Sequence, residues 1–374
     1  QSGRTNLYAI SDYTGNTSIT GGMLSLYNYD ALGNNHIYIN SPPSVSDGLK
    51  LSEKSTDTVP VNNLPVFDNT ISGAGNVHVD GHAKIVSIND DFTGDWHVIE
   101  NGILSQSLSS TTTRDNFGLG NLYLSNNAEL HIVSDDDFTV NNKITSWPDG
   151  DTKIYINNNG NNLNFEKDSL DYSFFGELTL SDNHFLLSGD NTEAVSGTKL
   201  ILAERNITTV GQGEQNIRSL EFDGGRLKFT GVTPGKISAD GMINASDVSV
   251  SSGAGEIQVD TDRLSNDRPQ PDMHIPLLQQ DDADIMISLI KTEGNVSGDA
   301  NDLILLGKNG EVISDAVIAE ITQQGNSVAR GTYDYRLTTG PSRDGIYINY
   351  GLKTLDLIAK GNKALILDAN GNGG

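Results

Sequence analysis

No cysteine occurs in the 374 residues. That excludes a disulfide scaffold, a thiolate zinc site and a cysteine nucleophile. It also suits a chain that crosses a secretion pore unfolded. Cations are scarce: 24 Lys+Arg stand against 49 Asp+Glu, a formal charge of −25. Nucleic-acid binding through broad phosphate neutralisation is therefore excluded, as is adsorption of the whole chain to anionic lipid. No apolar run approaches the roughly 20 residues of a helical membrane span. Gln1–Ile10 carries no signal-peptide pattern, so such a segment is expected to have been removed or left out. Hydrophobic residues make up only 36%, but they come in short bursts, which argues against disorder.

What the chain has in quantity is glycine, 40 residues, and asparagine, roughly one residue in ten. These residues punctuate a recurring unit: a short alternating apolar run, two to four turn residues, and a second such run. The units begin at Leu122, Ile154, Leu178, Leu200, Leu220 and Val248, spaced 32, 24, 22, 20 and 28 apart. Alternation at period two specifies strands with one buried face, and Asn, Asp and Gly make the corners. A period of this length with two or three strands per copy predicts an all-β protein. The expected architecture is a single right-handed parallel β-helix, a solenoid whose rungs bury a narrow common core. Several sandwiches are the competing reading, but those predict hairpin signals every 8–12 residues.

Residues 1–73 are less regular, interrupted by Ser41-Pro42-Pro43 and by Pro60 and Pro65, and read as an N-terminal cap with irregular first rungs. Residues 74–300 read as rungs with a long loop at 261–283, and 301–374 as C-terminal rungs and a hairpin cap. Helical signals are poor; Ser314–Thr322 fits one short helix or an edge strand.

The C-terminal quarter carries a family resemblance. Asn301-Asp-Leu-Ile-Leu-Leu-Gly307, Arg330-Gly-Thr-Tyr-Asp-Tyr-Arg-Leu337 and Gly345-Ile-Tyr-Ile-Asn-Tyr-Gly-Leu352 resemble the autochaperone end of an autotransporter (type V secretion) passenger. The usual Trp-x-Leu of the second strand is here Ile346-Tyr-Ile-Asn. The rungs before it agree in style with non-protease adhesin passengers of the UpaB type. The resemblance implies a β-helix displayed at the bacterial surface or secreted, with an outer-membrane barrel expected beyond Gly374. It also implies binding to host extracellular matrix, through glycosaminoglycan-like glycans or a fibronectin-like protein.

Catalytic motifs do not emerge. The Gly-Asp-Ser-Gly segment of protease passengers is absent, and no Ser, His and carboxylate are marked as a triad. Asp90-Asp91, Asp135–Asp137 and Asp281-Asp282 supply carboxylates for a polysaccharide-degrading alternative, yet adjacent aspartates in turns are usually only solvated. Asp368-Ala-Asn-Gly-Asn-Gly373 spells half a calcium loop without its bidentate Glu, so no metal, cofactor or catalytic residue is expected. His78, His82, His97, His131 and His184 read as strand residues. Trp96 and Trp147 suit either corner packing or sugar stacking.

The predicted binding residues lie at corners and in one charge cluster. Asn126-Asn127, Asn157–Asn159, Asp182-Asn183 and Asp223-Gly224 are expected to stack into one polar column able to meet sugar hydroxyls. Between Lys199 and Lys236 six cations outnumber four carboxylates, and Arg226 and Lys228 share a strand face. Arg205, Arg226 and Lys228 are thus expected to contact sulfates or carboxylates, with Asn157, Asp182, Asn183 and Asp223 beside them. The function expected is adhesion by binding, not turnover. Self-association between neighbouring columns, as in autoaggregation and biofilm, is the first alternative.

Overall fold

A computed structural model describes residues 3–358 except 57–62, 109–110, 147–150, 171–173, 234–235, 252, 254, 261–273, 277–284 and 314–316. The loop expected at 261–283 falls largely outside the described residues, as do Trp147, the Asp281-Asp282 pair and the calcium-like segment at 368–373. The chain is all-β, built mainly from parallel-strand sheets, with two short α-helices among the described residues, Arg114–Phe117 and Gly189–Val195. It divides into two compact units. The first comprises residues 1–209 with 216–225, the second 210–215 with 226–374.

In the first unit one seven-stranded sheet runs Arg4–Leu7, Met23–Leu26, Gly48–Leu51, Asn76–Val79, Asp95–Val98, Leu122–Leu124, Ile144–Ser146. Every pairing in it is parallel. A second parallel run contains His82–Ile85, Ile103–Leu108, Glu129–Ser134, Lys153–Asn157, Glu177–Ser181, Lys199–Ala203 and Ser219–Asp223. A third holds Phe138–Val140, Asn162–Phe165 and His184–Leu187. A small sheet of Thr17–Ile19, Ile37–Asn40 and Ile71–Ala74 completes the unit.

Alternating side chains become columns once strands pair in register. Leu104, Leu130, Ile154, Leu178, Leu200 and Leu220 are successive register partners, all buried. Their positions give repeats of 26, 24, 24, 22 and 20 residues. The frame read at Leu122 is therefore corrected. Leu122–Leu124 belongs to the seven-stranded sheet, whereas Ile154, Leu178, Leu200 and Leu220 belong to the second run. Two different corners share the same strand–turn–strand signature, and only pairing tells them apart.

Within residues 1–73 the structure shows paired strands. Arg4–Leu7, Met23–Leu26 and Gly48–Leu51 stack in parallel register and lead directly to Asn76–Val79. Pro42, Pro43 and Pro65 lie outside these strands, where a missing N–H removes no ladder bond. Gly94 and Gly120 show why glycine recurs at one corner. A Cβ on Gly94 would sit 2.0 Å from the Gly75 carbonyl oxygen, and one on Gly120 1.9 Å from that of Gly94.

A polar residue, Gln106, stands in the core with no partner for its side chain. Gln106 pairs in register with Ile85 and Ile132, inside the next apolar column. It is fully buried, and neither amide atom has a hydrogen-bond partner. An unsatisfied buried amide costs about 1–3 kcal/mol. Gln106→Leu is therefore expected to raise stability by an amount of that order, read as a higher urea midpoint at unchanged slope. A lower midpoint would show that the amide is satisfied in solution.

In the second unit Arg226–Phe229, Glu256–Val259 and Ile304–Leu306 are parallel. Ser238–Val250 pairs in parallel with Ile285–Thr292 and Val296–Ser297. The pattern then reverses. Ile285–Thr292 pairs antiparallel with Gly345–Leu357, which pairs antiparallel with Asn326–Thr338, and that strand with Val317–Gln323. The segment open to helix or strand is thus a strand over Val317–Gln323.

Candidate binding site

The outward residues of the second run in the first unit form columns as the core residues do. Glu129, Lys153, Glu177 and Lys199 are successive partners, so charge alternates along one column. The adjacent column holds His131, Tyr155 and Thr179. His131 and Tyr155 stack at 4.6 Å and 12°, and His131 Nε2 lies 2.8 Å from Glu129 Oε2. That hydrogen bond, more than burial opposes it, holds the Glu129 carboxyl below its ordinary range, so it stays ionised. Lys199 lies 3.5 Å from Glu221 and 3.9 Å from Glu177. Beside these columns opens a cleft of about 530 Å³, reached by Glu129, Asp151, Lys153, Phe175, Glu177 and Arg218, among others.

A second ladder occupies the seven-stranded sheet. His78 and His97 stack at 5.3 Å and 24°, and His97 and Tyr123 at 5.0 Å and 15°. Burial pushes both imidazoles below their ordinary value. Lys50 lowers His78 further and His78 lowers His97, while the Asp47 carbonyl, Asp80 and Asp95 oppose the shift. The folded protein thus resists protonation that the unfolded chain accepts near pH 6.5. The ladder's stabilising contribution is complete above that pH and is lost as pH falls through the folded-state values. The unfolding temperature is expected to fall as the pH drops below about 6.5, and His97→Phe, which keeps a ring in the stack, should flatten that slope. An equal slope in both proteins would remove His97 as its cause.

The residues singled out from sequence are not one site. Asn183 is fully buried; its Nδ2 donates to the Ile156 carbonyl at 3.1 Å and its Oδ1 accepts from Asn206 at 2.7 Å. It is corrected from ligand contact to turn support. Asn158 and Asn206 are buried as well, and Asn158 Nδ2 donates to the Asn162 carbonyl at 2.9 Å. Asn126-Asn127 sits at another corner, where Asn126 Nδ2 donates to Glu100. Asn157 is half-buried and accepts from the Asn159 N–H at 3.1 Å. Asp223 is exposed at the end of its strand.

Arg205, Arg226 and Lys236 of the expected cation cluster each stand beside a carboxylate. Arg205 lies 3.6 Å from Asp182 and 3.7 Å from Glu204. Arg226 lies 3.3 Å from Glu256 and donates to Gln258 at 3.2 Å. Lys236 lies 3.2 Å from Asp240. Lys228 is half-buried on the face that Arg226 shares. Asp182 and Glu256 come from outside the 199–236 window, brought alongside by strand pairing, whereas Asp240 lies only four residues beyond Lys236. Trp96 is no sugar platform, because it is fully buried. Sequence reasoning missed Lys153, Phe175 and Arg218. Lys153 and Glu177 carried a usable signal, opposite charges 24 residues apart at the repeat spacing.

Fold and site together define a class: an all-β protein whose parallel strands arrange outward side chains in straight rows. Among known proteins, the chain is 35% identical over 311 residues to "Uncharacterized protein YuaQ" of Escherichia coli K12, covering 83% of this chain and 22% of that protein. It is 27% identical over 314 residues to "Uncharacterized lipoprotein YdeK" of the same strain, covering 79% of this chain and 23% of the relative. The chain thus spans less than a quarter of either relative's length. No family model matches, and no solved structure matches.

Proposed function

We propose that the chain is part of a bacterial surface adhesin, an autotransporter-type passenger that works by binding. In this reading the parallel sheets are the faces of a right-handed β-helix, and the C-terminal antiparallel strands cap it. The observation that carries the reading is the register of the outward residues. Glu129–Lys153–Glu177–Lys199 and His131–Tyr155–Thr179 are fixed in rows by backbone pairing. A rigid row pays little ordering entropy on binding, and many copies on one surface add weak contacts into avidity. A relative named as a lipoprotein supports a cell-envelope location.

The partners proposed are glycosaminoglycan-like glycans and fibronectin-like proteins of host matrix. Beads coated with the purified chain should bind immobilised matrix glycan or fibronectin above a bare-bead control. Equal retention of coated and bare beads would defeat the adhesin reading. The alternating charges favour one second reading, association between copies, since a one-rung offset sets each charge opposite its counter-charge. Sedimentation at rising protein concentration checks it: a constant monomer mass removes it.

A further inference from the structure

Phe175 stands at the cleft of the first unit and is 45% exposed. Its backbone is held on both sides. Its N–H donates to Ser146 Oγ at 2.9 Å, and its carbonyl accepts from Arg218 Nη2 at 3.1 Å. The ring is thus presented to solvent from a fixed backbone, which is how an aromatic platform is preorganised. Around it stand three carboxylates, Glu129, Asp151 and Glu177, and three cations, Lys153, Lys199 and Arg218. The set is neutral, in a chain of net charge −25.

Those groups select among ligand chemistries. A polyanion meets as many carboxylates as cations, so its charge brings no net attraction, and Lys199 is already shared between Glu177 and Glu221. An apolar ligand would strip water from charged heads and return no hydrogen bonds, which is costly. A sugar hydroxyl both donates and accepts, so it serves carboxylate and ammonium alike. The apolar face of a pyranose ring matches an exposed phenyl ring. The cleft's volume, about 530 Å³, lies within the ~300–1,000 Å³ of small-ligand sites, enough for a short oligosaccharide rather than a protein surface.

We infer that this cleft binds an uncharged stretch of a hexose or N-acetylhexosamine oligosaccharide. One ring packs on Phe175, and its hydroxyls are shared among Glu129, Asp151, Lys153 and Glu177. The inference rests on the binding reading above and names the ligand class for one site within it.

The test titrates the full chain with a panel of neutral hexose and N-acetylhexosamine tetrasaccharides and, separately, with a heparin octasaccharide. Saturation-transfer NMR and calorimetry read the binding. At least one neutral tetrasaccharide should bind, with affinity little changed between low and high salt. Phe175→Ala should weaken that binding by about tenfold, and Phe175→Trp should retain it, with melting curves confirming both folds. Two outcomes overturn the inference while the adhesin reading survives. One is salt-sensitive heparin binding with no neutral sugar bound. The other is adhesion to matrix with no tetrasaccharide bound at all. Neutral-sugar binding that is equal in Phe175→Ala also overturns it. Failure to adhere to any matrix, together with no saccharide bound, defeats both readings.

Discussion

Trp96→Ala is expected to lower the stability of the first unit by about 3–5 kcal/mol, the range for deleting a large buried aromatic. Trp96 is fully buried between its register partners Val77 and Leu122. Its ring meets Phe117 edge-on at 5.5 Å and Phe92 at 6.2 Å. Its Nε1–H donates to the Phe117 carbonyl at 2.7 Å, so truncation also strips a buried acceptor of its donor. That carbonyl belongs to the short helix Arg114–Phe117, whose docking should loosen too. Trp96→Phe keeps much of the ring volume and loses only the donor and the extra ring atoms, so it should cost clearly less. Urea unfolding followed by circular dichroism reads both variants. A cost below about 1 kcal/mol for the alanine variant would show that the site collapses around the cavity.

Ending the chain before Arg330 is expected to remove the cooperative transition of the second unit or lower it by more than about 10 °C. The deletion takes away Tyr335, Leu337, Ile346 and Ile348, all buried. At roughly 1.5–3 kcal/mol for each buried apolar side chain, that is about 6–12 kcal/mol as an upper estimate. It also strips Ile285–Thr292 of its antiparallel partner and leaves a bare strand edge, which invites association between chains. Calorimetry should show the loss, and light scattering the aggregation. An unchanged melting curve would mean that the hairpin covers nothing the second unit depends on.

Strands were legible wherever apolar and polar residues alternate. Lys153–Asn157, Glu177–Ser181 and His184–Leu187 each show that alternation in their burial as well. The turns between them were equally legible. Asn126, Asn127, Asn159 and Asp182 all adopt positive φ, a conformation that their short polar side chains tolerate better than most. The hairpin cap expected within 301–374 is legible in the alternating runs at 330–337 and 345–352, where Leu337 pairs with Ile348.

Partnership over longer distances was not legible, and the site depends on it. Counting charges between Lys199 and Lys236 gave an excess of cations, yet Asp182 and Glu256 reach into that window from neighbouring strands. Asn126 and Asn157 look alike in sequence but stand at different corners, because one strand–turn–strand signature serves two sheets. Gln106 reads as a polar strand residue, and only its register with Ile85 and Ile132 places it in the core. The sequence by itself determined the period-two strands, the corner residues, the acidity and the absence of thiol chemistry, since each is a local property of side chains and φ. The tertiary structure decided which strands stack, which charges meet and which aromatic is left at the surface. In the second run of the first unit, parallel pairing joins residues 20 to 26 positions apart, and nothing local in the chain encodes the offset.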